Sequence, residues 1–173
     1  SLALTYNDEA NGLTYRAEFS INAAMHVIEA KASVSAKTPL FVHWFAAPVF
    51  PAPQSCDEIY DFSGRWCGEF QMNKTPFSAG IRLRENHTGR SGHEHFPGAI
   101  IPCRGATNCQ GQAYGFHYGW SGGHRMVAEE LPDGRRQIQF GHASSLERKP
   151  QTDFETATLY AVFSDRGLNG CAV

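Results

Sequence analysis

The 173-residue sequence is poor in charge and contains no long apolar run. Charged residues make up only 18% of it, against about 25% in an average globular domain, whereas 42% are hydrophobic, so intrinsic disorder is excluded. The 15 Lys and Arg residues are scattered and the formal net charge is −2, so the basic patch of a nucleic-acid binder is missing. No stretch approaches the roughly 18–20 apolar residues of a membrane-spanning helix. We therefore predict one sizeable core and neither nucleic acid nor membrane as a partner.

The N-terminus lacks the charged start and apolar stretch of a signal peptide. It begins without Met, already in strand-like sequence, which indicates an excised part of a longer protein. The five cysteines show no repeated spacing: Cys56, Cys67, Cys103, Cys109 and Cys171. This pattern favours reduced thiols over a disulfide framework, although one bridge would fit the count. We expect a reducing, cytoplasmic compartment.

Alternation of apolar and polar residues with a period of two predicts many short strands. Residues 13–21 and 26–34 both alternate, and the short connection between them predicts a hairpin. Prolines at positions 48, 51 and 53 predict a loop that extends to about residue 62. Further strands are predicted over residues 40–46, 77–83, 112–120, 125–131, 135–140 and 154–164.

The segment 112–120 carries an aromatic stripe opposite small residues. Its small face, which includes Gly115 and Gly119, predicts close sheet packing. No amphipathic helix is evident, and turn residues separate the apolar segments, as at residues 132–134. The sequence therefore predicts an all-β fold with few or no helices, an antiparallel sandwich or barrel in one domain over residues 1–173.

Three histidines lie within nine positions, at His87, His93 and His95. On a strand, His93 and His95 would share one face, a spacing that lets two imidazoles bind a metal and that is similar to the first metal motif of cupins. That motif would continue with a Glu three or four residues after the second histidine, but Gly98 and Ala99 stand there. Hydrogen bonding of the histidines to loop backbone is the competing interpretation.

Two indoles lie beside polar groups in glycine-containing segments. Trp66 lies between Gly64 and Glu69, and Trp120 precedes Ser121. Such a combination can stack on the apolar face of a sugar while neighbouring groups bond its hydroxyls, so a carbohydrate-binding module is one hypothesis. Sheet packing or an interdomain contact is the other interpretation of both indoles.

No recognisable catalytic centre emerges from the residues themselves. A glycosidase needs two carboxylates about 5–5.5 Å apart for retention or about 6.5–9.5 Å apart for inversion. Neighbours in a strand point to opposite faces, so Glu129 and Glu130 cannot form such a pair. The other acidic candidates are Glu69, Glu85 and Glu94. A Gly-x-Ser-x-Gly elbow and a phosphate-binding glycine loop are both absent.

The order of five segments resembles the N-terminal β-sandwich of glycoside hydrolase family 36 α-galactosidases. These segments are Gly64-Arg-Trp-Cys-Gly-Glu69, Arg90-Ser-Gly-His93-Glu-His-Phe-Pro97, Gly111-Gln-Ala-Tyr114-Gly-Phe116, Trp120-Ser-Gly122 and Phe163-Ser-Asp-Arg-Gly-Leu-Asn-Gly170. That family tends to have Ser-Ser-His and Tyr-Ser-Gly-Asn where this chain has Ser91-Gly-His93 and Trp120-Ser-Gly-Gly123. These departures indicate a diverged subfamily with altered substrate preference.

The resemblance implies an antiparallel, supersandwich-like β-sandwich that belongs to a larger glycosidase. The parent would remove terminal α-galactose from melibiose- or raffinose-type sugars by retaining double displacement, without a cofactor. The catalytic residues would lie in a (β/α)₈ barrel after Val173, so the chain alone would be inactive. Its expected role is to support the barrel, the pocket loops and a homo-oligomer. We expect Trp66, His95 and Trp120 to face the pocket or barrel and no metal to bind, with His93 and His95 as the alternative metal ligands.

Overall fold

A computed structural model describes residues 1–77, 80–89, 94–144 and 149–171. Thirteen strands and one 3₁₀ turn, Leu168–Cys171, lie in these ranges. The strands are β1 (Leu2–Asp8), β2 (Leu13–Asn22), β3 (Val27–Leu40), β4 (Phe50–Ala52), β5 (Glu58–Ser63), β6 (Gln71–Pro76), β7 (Gly80–Asn86), β8 (His95–Pro102), β9 (Ala113–Tyr118), β10 (His124–Glu130), β11 (Arg136–His142), β12 (Gln151–Glu155) and β13 (Leu159–Ser164). Among the described residues, no helix has the length and apolar character needed to cross a membrane.

The strands form two antiparallel sheets of unequal size. The larger sheet has nine strands in the order β1-β2-β3-β13-β9-β8-β5-β6, with β12 also paired to β3. The smaller sheet has four strands in the order β4-β11-β10-β7. Side chains of both sheets meet in one hydrophobic core. The predicted all-β antiparallel sandwich is therefore confirmed.

The predicted hairpin between residues 13 and 34 forms as β2 and β3. Tyr15 pairs with Val34 and Ile21 pairs with Ile28, so apolar side chains lie opposite each other on one face of the larger sheet. We call this side, which the smaller sheet partly covers, the inner face. The opposite side of the larger sheet is its outer face.

The aromatic stripe of β9 supplies the centre of the core. Phe116 and Tyr118 are buried on the inner face, where the Tyr118 ring stacks against Phe140 of the smaller sheet at 6.4 Å between centroids. The small members of the same strand, such as Gly115, therefore lie on the outer face. The small residues predict close packing of one sheet on another, but they lie on the side of the larger sheet that does not contact the smaller sheet.

Three predicted boundaries are wrong. Residues 41–49 form only an isolated bridge, Ala46 to Gly141, because β3 continues to Leu40 and uses the apolar start of the expected strand. The expected proline loop contains β4 and leads into β5. The last strand is broken between β12 and β13, where the Thr156 hydroxyl accepts a hydrogen bond from the Ala32 amide at 3.0 Å in place of the sheet ladder.

Strand β7 turns charged residues towards the sandwich interior. Asp61 of β5 is buried and accepts hydrogen bonds from Arg82 Nε at 2.9 Å and Nη2 at 2.6 Å. Two apolar members of the expected 77–83 strand, Ile81 and Leu83, are consequently exposed, whereas Phe77 is buried in the core. Arg82 faces the interior because it pairs with the buried Asp61 carboxylate, and leaving that charge unpaired would be costly. This pairing decides the orientation of β7 against its apolar alternation.

Candidate functional site

The three residues singled out from the sequence lie at the same end of the larger sheet. Ser63 ends β5 and pairs with His95, which begins β8. β8 also pairs with β9, which ends at Tyr118, two residues before Trp120. Because β9, β8 and β5 are neighbours, the structure brings Trp66, His95 and Trp120 to adjacent strand ends.

Trp66 lies in a tight loop of residues 64–70, which we call the Trp66 loop. The Trp66 side chain is 80% exposed. Cys67 and Phe70 have φ angles of 64° and 60°, which residues other than glycine seldom adopt. Gly64 is required at the loop base, because a Cβ there would lie 1.9 Å from the Gly68 carbonyl oxygen. The loop is thus a defined turn that presents an indole to solvent.

Both ends of the Trp66 loop are fixed to the sheet. The Gly64 amide donates a hydrogen bond to the Glu94 carbonyl at 3.0 Å. At the other end, the Phe70 ring stacks on Phe62 at 4.6 Å and meets Phe96 edge-on at 5.0 Å. These contacts hold the position of the loop although Trp66 itself packs on little.

His95 is half-buried beside the base of the Trp66 loop. Burial lowers the pKa of His95, and the nearby positive charge of Arg84 lowers it further. Its Nδ1 atom is buried without a hydrogen-bond partner among the described residues. The lowered pKa favours the neutral imidazole, which has one donor and one acceptor nitrogen.

His124, the first residue of β10, was not singled out from the sequence. It is completely buried, and burial lowers its pKa to about 4. Its Nδ1 lies 3.4 Å from the Gly122 carbonyl oxygen, and its Nε2 has no partner in the described ranges. A lone histidine in a polar segment gives no sequence signal for such burial.

The metal alternative gains no support from the described side chains. Within residues 1–77, 80–89, 94–144 and 149–171, no three His, Cys, Asp or Glu side chains form a group that could hold a metal ion. His93 lies outside the described residues, so only His95 of that pair has a described environment.

Trp120 differs from Trp66 because its ring is packed. It is 44% exposed, and its indole meets the His142 ring edge-on at 4.9 Å. The Trp120 amide also donates to the Tyr118 carbonyl at 2.7 Å, so the backbone leaves the strand in a tight turn. Trp120 can line a surface, but it projects less freely than Trp66.

Glu85 is held in a way that opposes acid catalysis. Burial alone would raise its pKa, but hydrogen bonds from Arg125 and Ser144 outweigh burial and lower the pKa to about 2. Arg125 donates to both carboxylate oxygens, at 3.0 and 2.9 Å. A glycosidase acid needs a raised pKa, so Glu85 is suited to structure instead.

The other acidic candidates are also engaged by neighbours or isolated. Glu94 pairs with Arg65, Glu129 with Gln137 and Glu130 with Arg136. Glu69 lies in the exposed Trp66 loop. Glu94, Glu129 and Glu130 therefore each have a structural partner among the described residues.

An aromatic row that no sequence pattern predicts lies on the outer face of the larger sheet. Phe96 stacks on His117 at 5.1 Å with an interplanar angle of 10°, and His117 lies 6.3 Å from the Tyr160 ring. With Phe62 and Phe70, these rings cross the outer face from β5 to β13. The five come from separate segments, so only the glycines that make room for them, such as Gly98, could have signalled the row.

A family model described as "Glycosyl hydrolase family 36 N-terminal domain" matches residues 1–147. An α-galactosidase of Escherichia coli is 38% identical over 128 residues, which are 72% of this chain and 18% of that protein. α-Galactosidase AgaA of Geobacillus stearothermophilus is 28% identical over 110 residues, 62% of this chain and 15% of that protein. The chain therefore spans less than a fifth of the length of these curated relatives.

Solved structures share the fold. A variant of AgaA from Geobacillus stearothermophilus in complex with raffinose superposes with a TM-score of 0.88 at 22% identity, over 98% of this chain and 24% of that one. The galactosidase domain of the α-galactosidase–sucrose kinase AgaSK also gives a TM-score of 0.88, at 20% identity, over 97% of this chain and 24% of that one. At these identities the superpositions establish the sandwich fold alone.

Proposed function

The chain belongs to the family of glycosyl hydrolase family 36 N-terminal domains, and we propose that it is the non-catalytic N-terminal sandwich of a longer α-galactosidase. The parent hydrolyses terminal α-galactosides of the melibiose or raffinose type with retention of configuration. Its catalytic (β/α)₈ barrel follows residue 173. The observation that carries this proposal is the family match over residues 1–147 together with relatives of which this chain spans only 18% or 15%.

The local chemistry supports a non-catalytic role for the sandwich. A retaining glycosidase needs a nucleophilic carboxylate and an acid within about 5–5.5 Å of each other. Glu85 has its pKa lowered to about 2 and is bound by Arg125 and Ser144. Such a carboxylate neither donates a proton at neutral pH nor is free to attack a sugar.

The size of the native polypeptide tests the proposal. An antibody raised against this chain should detect a band several times 19.1 kDa in the source cells. Protein captured with that antibody should release galactose from raffinose, whereas the isolated 173-residue chain should not. A single band near 19.1 kDa would overturn the proposal.

We further propose that Trp66 faces the galactoside pocket of the parent, with His95 and Trp120 at its border. The support is the 80% exposure of Trp66 on a loop whose two ends are hydrogen-bonded or stacked in place. A large exposed aromatic surface on a structured loop is typical of a contact site.

Substitution in the full-length parent tests the role of Trp66. Trp66→Ala should lower kcat/KM for raffinose by about tenfold, equivalent to roughly 1.4 kcal/mol of transition-state stabilisation. Phe163→Ala, which removes another exposed aromatic ring at the opposite end of the larger sheet, is the matched control and should leave kcat/KM unchanged. Equal kinetics for both variants and the parent would refute the assignment.

The compartment and assembly of the parent are part of the same proposal. All five cysteines are free thiols, which supports a reducing cytoplasmic location. A homo-oligomer is proposed for the full-length protein on the basis of the family resemblance. Native mass measurement of the captured parent tests this assembly directly.

A further inference from the structure

The outer face of the larger sheet carries an apolar groove of about 470 Å³. Its lining includes Met25, Val27, Phe70, Phe96, Ile100 and Val162. Its polar lining residues include Asn22, Glu29 and His117. A cavity of this size and composition holds a drug-sized apolar group or a few side chains. We call it the outer groove.

Glycines shape the floor of the outer groove. A Cβ at Gly98 would lie 2.7 Å from a carbon of the Phe96 ring, and a Cβ at Gly115 would lie 3.0 Å from Cβ of Cys171. The first contact is closer than side chains tolerate, and the second would require Cys171 to move. The missing Cβ atoms therefore let Phe96 and Cys171 lie close to the sheet at the outer groove.

The last described residues lie at the groove itself. The 3₁₀ turn Leu168–Cys171 packs on β13, β9 and β8. Cys171, the final residue of that turn, is half-buried and lines the outer groove. A polypeptide that continues beyond residue 173 must therefore start from the immediate neighbourhood of this recess.

We propose that the outer groove is the docking site for an apolar segment of the parent that directly follows residue 173. The inference rests on the proposed function, because its occupant belongs to the longer polypeptide. The family description places this sandwich at the N-terminus, and the relatives extend far beyond the matched part. Because Cys171 itself lines the groove, a short connection suffices for a following segment to reach it, at little entropic cost.

Docking in the outer groove would also position the Trp66 loop. Phe70 ends that loop and at the same time lines the groove. Its ring rests on Phe62 and Phe96, and its backbone has the unusual φ of 60°. An occupant that packs on Phe70 therefore fixes the loop end from its open side. The groove links the segment after residue 173 to the orientation of Trp66.

Thiol labelling at the rim of the groove tests the proposal. Met25 is 53% exposed in the β2–β3 turn, and Glu9 is exposed in the β1–β2 turn at the other end of β2. Met25→Cys and Glu9→Cys are introduced separately into the isolated chain and into the full-length parent. Maleimide labelling of each new thiol is followed by mass spectrometry of its peptide.

The proposal predicts that the Met25→Cys thiol labels at least tenfold more slowly in the parent than in the isolated chain. The Glu9→Cys thiol should label equally fast in both. A charge in the groove should restore fast labelling of the Met25→Cys thiol in the parent, so Val162→Asp is combined with it. Leu83→Asp, at an exposed position of β7, is the matched control and should restore nothing. Val27→Asp provides a second groove variant if Val162→Asp does not fold.

Two results would overturn the inference, and they are separable from failure of the proposed function. Equal labelling of the Met25→Cys thiol in parent and isolated chain would show that the groove stays open. Protection in the isolated chain that grows with protein concentration would show that a second copy occupies it. If instead the source cells contain only a 19.1 kDa protein, the proposed function itself fails and the groove has no such occupant.

Discussion

The inner face of the larger sheet has the same apolar alternation across its width, but only part of it is covered. Over β8 and β9 the smaller sheet lies on this face, and Ile101 and Tyr118 have no exposed surface. Towards the β1 edge the cover is incomplete: Phe50 meets Phe19 of β2 edge-on at 6.4 Å, but Leu2 of β1 is 56% and Ile21 at the end of β2 is 73% exposed. Nine strands face four, so the smaller sheet covers the larger one only in part.

This difference shows that alternation determines which side chains share a face but not whether they are buried. A period of two determines which residues share a face, because neighbouring side chains point to opposite sides of a strand. Burial requires a second layer, and that layer is supplied by other segments of chain. The covered region and the open positions Leu2 and Ile21, which we call the bare flank, should therefore respond differently to the same substitutions.

The largest effect is expected in the covered region. Ile101→Ala removes a side chain with no exposed surface and should lower the free energy of unfolding by about 2–5 kcal/mol, through lost burial and a residual cavity. Urea unfolding of the isolated chain measures this change. A loss below about 1 kcal/mol would mean that the two sheets are not packed against each other at Ile101.

Acid should weaken the covered region through His124. Burial lowers the pKa of His124 from 6.5 to about 4, so the unfolded state binds the proton more readily. The stabilising contribution is complete above pH 6.5 and is lost as the pH falls through 4. The shift corresponds to about 3 kcal/mol. Unfolding free energies measured between pH 7.5 and 4 should therefore decline.

A variant identifies the group responsible for this acid dependence. His124→Gln removes the titrating ring and should flatten the decline between pH 6.5 and 4. Burial also lowers the pKa of His95 and His117, so a weaker slope of the same sign should remain. An unchanged slope in His124→Gln would contradict the assignment.

A smaller effect is expected at Glu85, whose hydrogen bonds connect separate segments in and next to the smaller sheet. Glu85 of β7 accepts hydrogen bonds from Arg125 of β10 and from the Ser144 amide at 2.9 Å, beyond β11. Glu85→Gln keeps the shape but removes the charge, and should cost about 2 kcal/mol at pH 7. The lowered pKa of Glu85 means that its contribution is present above pH 4.5 and lost as the pH falls through 2. The variant and the unmodified chain should therefore converge near pH 2 in acid titrations of unfolding.

The smallest effect is expected on the bare flank. Ile21→Ala lies on the same inner face as Ile101→Ala but at a side chain that is 73% exposed. Its unfolding free energy should change by no more than about 0.5 kcal/mol. A loss comparable to that of Ile101→Ala in the isolated chain would show that the flank is covered after all.

The sequence was sufficient for the elements whose local pattern decides the outcome. The hairpin of β2 and β3 and the pairing of β10 with β11 follow from alternation and turn residues near each other in the chain. The strand expected over 154–164 is broken, because Thr156 forms its hydrogen bond with Ala32, far away in sequence. That partner cannot be recognised before the fold is known.

In the candidate site, too, some features follow from the local sequence and others only from distant neighbours in the fold. Trp66 stands out in the sequence because an indole among glycines is unusual, and in the structure it is exposed. The aromatic row could not be predicted, because Phe96, His117 and Tyr160 come together only through pairing of β8, β9 and β13. The burial of His124 likewise depends on the sheet that covers it. Local patterns identify strands and unusual residues, but neighbours across the sheets decide their surroundings.

The three-residue strand β4 limits how a strand of another molecule can pair with the edge of the smaller sheet. β4 is the outermost strand of the smaller sheet, and Pro51 stands at its centre opposite Gln137. Proline has no amide hydrogen, so a strand from another molecule finds no donor at that position. A short edge interrupted by proline resists the strand-by-strand growth that leads to aggregates. The smaller sheet is thereby protected at β4 against becoming a template for aggregation.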